Sequence, residues 1–100
     1  MGMIYKITSP NNDIYIGQTK YDIQKRWKEH CNSATTHNGT EYNTLLGKAI
    51  RLYGKENFVL EIIQDNIDPN ELDNAERYWI DYFNSFYLNN PKGYNMTYGG

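Results

Sequence analysis

Two short runs of β-branched and aromatic residues near the start of the chain constrain its fold most. They are residues 3–8 (MIYKIT) and 13–19 (DIYIGQT), split by Ser9-Pro10-Asn11-Asn12. Such runs favour strands, and a Pro-Asn-Asn break is turn chemistry, so the pattern predicts an antiparallel hairpin. Side chains alternate across a strand. Ile4, Ile14 and Ile16 therefore supply one apolar face, and Tyr5 and Tyr15 lie on the other together with Gly17.

The remaining signals are mostly helical. Asp22 can cap a helix running to about residue 32. Asn43 or Thr44 can start a second, to Tyr53, closed by Gly54 in the position that tolerates a left-handed backbone. Residues 58–64 (FVLEIIQ) read as a third strand. Asp68-Pro69-Asn70-Glu71 places a capping Asp, a Pro at the first helical position and a Glu three after the cap. It predicts a helix to about Phe83, and residues 93–97 (GYNMT) read as a short last strand. The order β-β-α-α-β-α makes a small α+β domain, a mainly antiparallel three-stranded sheet flanked by helices. At 100 residues, without repeats, low-complexity tracts or internal linkers, the chain reads as a single domain over residues 1–100.

One cysteine, Cys31, rules out an internal disulfide framework and any CxxC metal or redox motif. No apolar run has signal-peptide length or approaches the ~20 residues of a membrane span. These features point to an intracellular protein, in cytoplasm or nucleus. The heavy use of Asn, Ile and Tyr resembles AT-rich coding, as in many viruses and some bacteria. The net charge is −2, but it is unevenly spread. Residues 1–55 hold eight Lys/Arg and four Asp/Glu, whereas residues 56–82 hold one Arg and eight acids. A free-standing nucleic-acid binder usually carries a basic footprint. Here only the first half could face phosphates, and a simply solvated surface is the alternative.

Ionisable residues stand where apolar ones belong. The third helix has its stripe at Leu72, Ala75, Trp79, Ile80 and Phe83, and Glu76 lies inside it. A carboxylate aimed at a core is costly unless paired or bound to a cation. The first helix places Ile23, Trp27 and His30 on one face, with Arg26 in the same stripe. A paired Glu76, an Arg26 stacked on Trp27 and a satisfied core His30 are the alternatives. Together with Tyr5 and Tyr15, these groups compose an anion-binding, metal-assisted site of the kind phosphoryl transfer needs.

The same residues resemble the GIY-YIG nuclease family. The first motif reads Met3-Ile4-Tyr5, with Met for the usual Gly, and Tyr15-Ile16-Gly17 is the second. Arg26-Trp27-Lys28-Glu29-His30 resembles the family's Arg-x-x-x-His helix. Residues 49–58 resemble the segment before the third strand, Glu76-Arg77-Tyr78-Trp79-Ile80 the helix with the metal-binding Glu, and Gly93-Tyr94-Asn95 the closing motif. The order and spacing carry the resemblance over residues 3–97.

The resemblance implies a divalent-metal-dependent DNA endonuclease with one cation held by one carboxylate. Glu76 would bind Mg²⁺ or Mn²⁺, and Arg26 would offset charge on the phosphorane. Tyr5 would deprotonate or orient the attacking water, with His30 as its proton acceptor. Tyr15 would hydrogen-bond phosphate or water, Gly17 would leave room for backbone approach, and Asn95 would brace the cluster. Some homing members carry a further His before the second helix; His37 comes too early, with Glu41-Tyr42 nearby, and takes no role. The resemblance favours the homing type, in which a catalytic domain precedes a C-terminal DNA-binding region. The closing Gly99-Gly100 reads as the start of a linker, and a complete small nuclease is the alternative. A structure-specific repair or recombination nuclease and a non-cutting nucleic-acid-binding module are the competing functions.

Overall fold

A computed structural model describes residues 1–97. The Gly99-Gly100 linker reading lies outside the described residues. The predicted hairpin forms from β1 (Gly2–Thr8) and β2 (Ile14–Thr19), with Tyr5 opposite Gly17 and Thr8 opposite Ile14. Ser9 Oγ fixes the turn by accepting from the Asn11 N–H at 3.3 Å and the Asp13 N–H at 3.0 Å. β3 (Val59–Ile67) pairs antiparallel with the free side of β1, giving the order β2-β1-β3.

The helices begin where capping side chains stand. The Asp22 carboxylate accepts from the Gln24 N–H at 3.2 Å at the head of α1 (Ile23–Thr35). Thr44 Oγ1 accepts from the Gly47 N–H at 3.0 Å at the head of α2 (Leu45–Tyr53), which Gly54 closes. α1 runs past residue 32 because Thr35 and Thr36 satisfy its last carbonyls, those of Cys31 at 2.9 Å and Asn32 at 2.8 Å. Asp68 caps as expected, but the turn it caps, Pro69–Glu71, is 3₁₀, and α3 is Leu72–Phe83. Such tight turns are frequent at helix starts.

β1 is covered on both faces. Tyr5 and Ile7 pack with Cys31, Ala34, Leu46, Ala49 and Ile50 of α1 and α2. Ile4 and Ile16 pack with Ile67, Leu72 and Ile80 on the α3 side. The site read from the sequence joins Arg26 and Glu76 to Tyr5 and Tyr15, which would set both helices against the tyrosine face. The structure corrects this: α3 lies on the isoleucine face, because its stripe of Leu72, Ala75, Ile80 and Phe83 matches that surface. β3 also extends beyond residue 64. Ile67 is 5% exposed and anchors its end, and Asn66 takes φ 56°, while register shifts against β1 absorb the irregularity.

No strand forms at residues 93–97, and the physical reason lies in the edge of β2. Backbone pairing reaches only Ile14, whose N–H donates to Lys92 O at 3.2 Å and whose carbonyl accepts from the Tyr94 N–H at 2.8 Å. The next rung is made by a side chain. Asn95 Oδ1 accepts from the Ile16 N–H at 2.9 Å, and Asn95 Nδ2 donates to Ile16 O at 2.8 Å. An amide side chain thus imitates a peptide group and ends the ladder while covering an edge that would otherwise expose unpaired groups. Among the described residues no helix is long and apolar enough to cross a membrane.

Gly17 owes its identity to Tyr5. A Cβ there would lie 2.4 Å from both Cζ and Oη of the Tyr5 ring, which crosses the strand above it. The space is filled by Tyr5 rather than left open to an approaching backbone. Gly17→Ala should destabilise the chain by about 1–3 kcal/mol through overpacking. For a domain of this size that lowers the melting midpoint by roughly 4–8 °C per kcal/mol. Thermal melts of the two chains check it, and an unchanged midpoint would show that the Tyr5 ring is not fixed over Gly17.

Candidate active site

Past the edge of β2 the two faces of the sheet open into one pocket of about 500 Å³. Tyr15 reaches it from the hairpin, Arg26 from α1, Glu76 from α3 and Asn95 from the last segment. Glu76 arrives from the isoleucine side and is 8% exposed. Gln18, on the same face of β2, donates from Nε2 to Glu76 Oε1 at 3.2 Å and to Asp73 Oδ1 at 2.8 Å. Asn95 is held behind the pocket by Ile16 and by the Ser85 hydroxyl, which donates to its Oδ1 at 2.7 Å. Gly17 lies on β2 beneath Tyr5.

The sequence reading puts both tyrosines at the substrate. The pocket is lined by Tyr15, whereas Tyr5 stands behind it, only 1% exposed. Tyr5 Oη is 2.7 Å from His30 Nε2, and His30 has no exposed surface. The Tyr15 ring packs edge-on against His30, with centroids 5.4 Å apart. The other ring nitrogen, His30 Nδ1, bonds Glu41 Oε1. Arg26 Nη1 lies 3.4 Å from Glu29 Oε1 and 4.0 Å from Glu41 Oε2. It is not stacked on Trp27, whose ring packs on Phe58 at 5.4 Å instead.

These contacts set the ionisation of the site. Burial, reinforced by Tyr15, pushes the Tyr5 phenol far above its ordinary value, with Arg26 partly opposing. Burial also pushes Tyr15 up to about 12, aided by Glu41 and Glu76. Burial works against the Arg26 charge, but Tyr5, Glu41, Tyr15 and Glu29 together raise its pKa. At neutral pH the pocket therefore holds phenols as neutral donors and one fixed cation among the carboxylates of Glu29, Glu41 and Glu76.

Among the described residues no group of three or more His, Cys, Asp or Glu could enclose a metal. The donor chemistry nonetheless fits a hard cation. Mg²⁺ keeps several waters and takes one or two carboxylates plus substrate phosphates. A carboxylate on the wall of an open pocket meets that need, and Glu76 is the residue that would hold the ion.

This is a small α+β domain of the nuclease class, organised around a pocket where hydroxyls, a guanidinium and a carboxylate converge. The family model described as the GIY-YIG catalytic domain matches residues 1–95, and the chain belongs to that family. Neither the search of curated proteins nor that of solved structures found a match.

Two participants escape sequence reasoning. Glu41 sits in a Thr-, Asn- and Gly-rich loop, where a charge reads as solvated and no periodicity marks a face. Gln18 falls on the α3 side of an edge strand, where a polar residue reads as ordinary surface. His37 is not in the pocket; it stacks on Tyr42 with centroids 4.9 Å apart.

The buried phenols predict an alkaline loss of stability. The folded chain holds the Tyr15 proton up to about 12, while an unfolded tyrosine releases it near 10. Between those values the unfolded chain binds fewer protons, so stability falls as pH rises; below them this group contributes no slope. Urea midpoints measured up to that range should drop, and Tyr15→Phe should flatten the drop. An equally steep fall in the variant would assign the effect elsewhere.

Proposed function

We propose that this chain is a divalent-metal-dependent DNA endonuclease, the catalytic domain of a homing-type enzyme, hydrolysing a phosphodiester bond in the pocket beside β2. The observation that carries this reading is the convergence there of Tyr15, Arg26, Glu76 and Asn95, from four separated parts of the chain, with the Tyr5–His30 pair behind them. An all-structural set of polar residues would have no reason to meet at one opening.

In this reading Arg26 faces a phosphate oxygen and offsets charge as the phosphorus becomes five-coordinate. Tyr15 presents a hydroxyl to the phosphate or the water from the pocket wall. The proton of the attacking water passes to the Tyr5 oxygen as the Tyr5 proton passes to His30 Nε2. Asn95 keeps β2, and with it Tyr15, in register with α3. Glu76 would hold a divalent cation, which when bound would supply Lewis-acid polarisation of the phosphate and neutralise charge. Among the described residues, three pocket carboxylates against one arginine would repel DNA without such an ion, which supports metal dependence.

Beside Arg26, the basic first half of the chain offers phosphates the exposed Lys20, Lys25, Lys28, Lys48 and Lys55. Arg51, also exposed, is already engaged: its Nη1 donates to Ala34 O at 2.7 Å and Tyr42 O at 2.6 Å. With a net charge of −2 the chain attracts DNA weakly. That supports a separate C-terminal DNA-binding region, with the whole acting on DNA inside the cell.

Plasmid nicking with Mg²⁺ and with a chelator tests the proposal. Wild-type chain should nick only with the metal; no nicking under either condition would overturn it. Glu76→Gln should abolish nicking with a melting midpoint within a few degrees of wild type, because the amide preserves shape. A variant that melts much lower yet still cuts would make Glu76 a structural partner. Arg26→Ala should slow single-turnover cleavage by about 10²–10³ at saturating enzyme, as expected for a group that acts on transition-state charge. A loss confined to DNA binding would make Arg26 an ordinary phosphate clamp.

A further inference from the structure

We infer, building on the hydrolytic reading above, that Glu41 is a positioning residue whose carboxylate holds His30 as its Nδ1-protonated tautomer, with Nε2 turned to Tyr5 as proton acceptor. His30 is fully buried and both of its nitrogens are engaged, Nδ1 by Glu41 Oε1 and Nε2 by Tyr5 Oη at 2.7 Å. A carboxylate can only accept, so the proton between Glu41 and the ring belongs to Nδ1. The Nε2 of that neutral ring then carries no proton and must accept from the Tyr5 hydroxyl. Which ring nitrogen is protonated is set by the bond the other one makes.

Glu41 is built into place rather than swinging in solvent. Its N–H donates to Ser33 Oγ at 2.9 Å, and its carbonyl accepts from Thr44 Oγ1 at 2.8 Å. α2 approaches that carbonyl so closely that a Cβ on Gly47 would lie 1.8 Å from it. The ends of α1 and α2 thus aim one side chain at the ring. Its second oxygen lies 4.0 Å from Arg26 Nη1, so a single carboxylate spans the imidazole and the guanidinium.

The burial of Tyr5 shows why the tautomer matters. A tyrosinate is strongly disfavoured there, so the Tyr5 oxygen can take a proton only as it gives one up. When the Tyr5 proton reaches Nε2, the ring carries protons on both nitrogens and one positive charge, which Glu41 offsets. The Tyr5 oxygen takes the proton of the attacking water, whose oxygen bonds phosphorus as the bond to the leaving oxygen breaks. The leaving oxygen takes a proton from solvent, and Nε2 later returns its own through Tyr5. A ring protonated at Nε2 would point a donor at Tyr5 and block the first transfer.

Nitrogen-15 NMR of the imidazole, at a pH where the ring is neutral, reads the tautomer directly and needs no substrate. The wild-type chain should show a protonated Nδ1 and a bare Nε2 at His30. Glu41→Gln retains an acceptor, so it should keep that tautomer while slowing Mg²⁺-dependent nicking, because the offsetting charge is gone. Glu41→Ala should lose the tautomer and slow nicking by about 10²-fold, the lower end of a general acid–base contribution. A wild-type His30 protonated at Nε2 would overturn the inference. So would a Glu41→Ala chain with an unchanged ring spectrum and rate. If wild type shows the expected tautomer but cuts nothing, the nuclease reading fails, and with it the purpose assigned to Glu41, while its hold on the ring stands.

Discussion

Everything in this fold follows from a central strand covered on both sides. β1 has Tyr5 and Ile7 buried beneath α1 and α2, and Ile4 buried beneath α3. A strand between two apolar layers gains no register from polarity, because a slip of one residue exchanges one buried face for another. The fit of the Tyr5 ring over Gly17 supplies that register instead. It also fixes the Tyr5 hydroxyl where His30 can meet it.

With three layers, side chains of α1 and α3 cannot meet through the sheet. They can meet only around an edge, and the two edges differ. β3 presents Val59 and Ile62 to solvent, at 56% and 49% exposure. β2 is flanked by the last segment, pinned by the Asn95 amide on Ile16. The pocket forms between that segment, α1 and α3. Asn95 therefore completes the edge, and Glu76 enters from the isoleucine face as a neighbour of Gln18 and meets Tyr15 at the pocket.

Polar groups in the site are arranged by depth. At the opening stand Arg26, Tyr15 and the carboxylates of Glu29, Glu41 and Glu76; Tyr5 and His30 stand behind them, and Glu41 joins the two levels through His30 Nδ1. Burial keeps the deep phenol protonated, and the Glu41 carboxylate is held by the ends of two helices.

The hairpin, the three caps at Asp22, Thr44 and Asp68, and the helix stripes were legible because each depends on residues close in sequence. So was the unusual placement of Tyr5, Arg26, His30 and Glu76, which stand out against the period of their own elements. The loop charge Glu41 and the edge residue Gln18 were not legible, since neither breaks a local pattern. The sequence by itself determined the three strands, the three helices, their order and the family. The tertiary structure alone decided that α3 takes the isoleucine face, that Asn95 completes β2 in place of a strand, and that Glu41 reaches His30. Those outcomes depend on which surfaces meet and on which buried donors must find acceptors, and neither is encoded in the spacing of residues along one element.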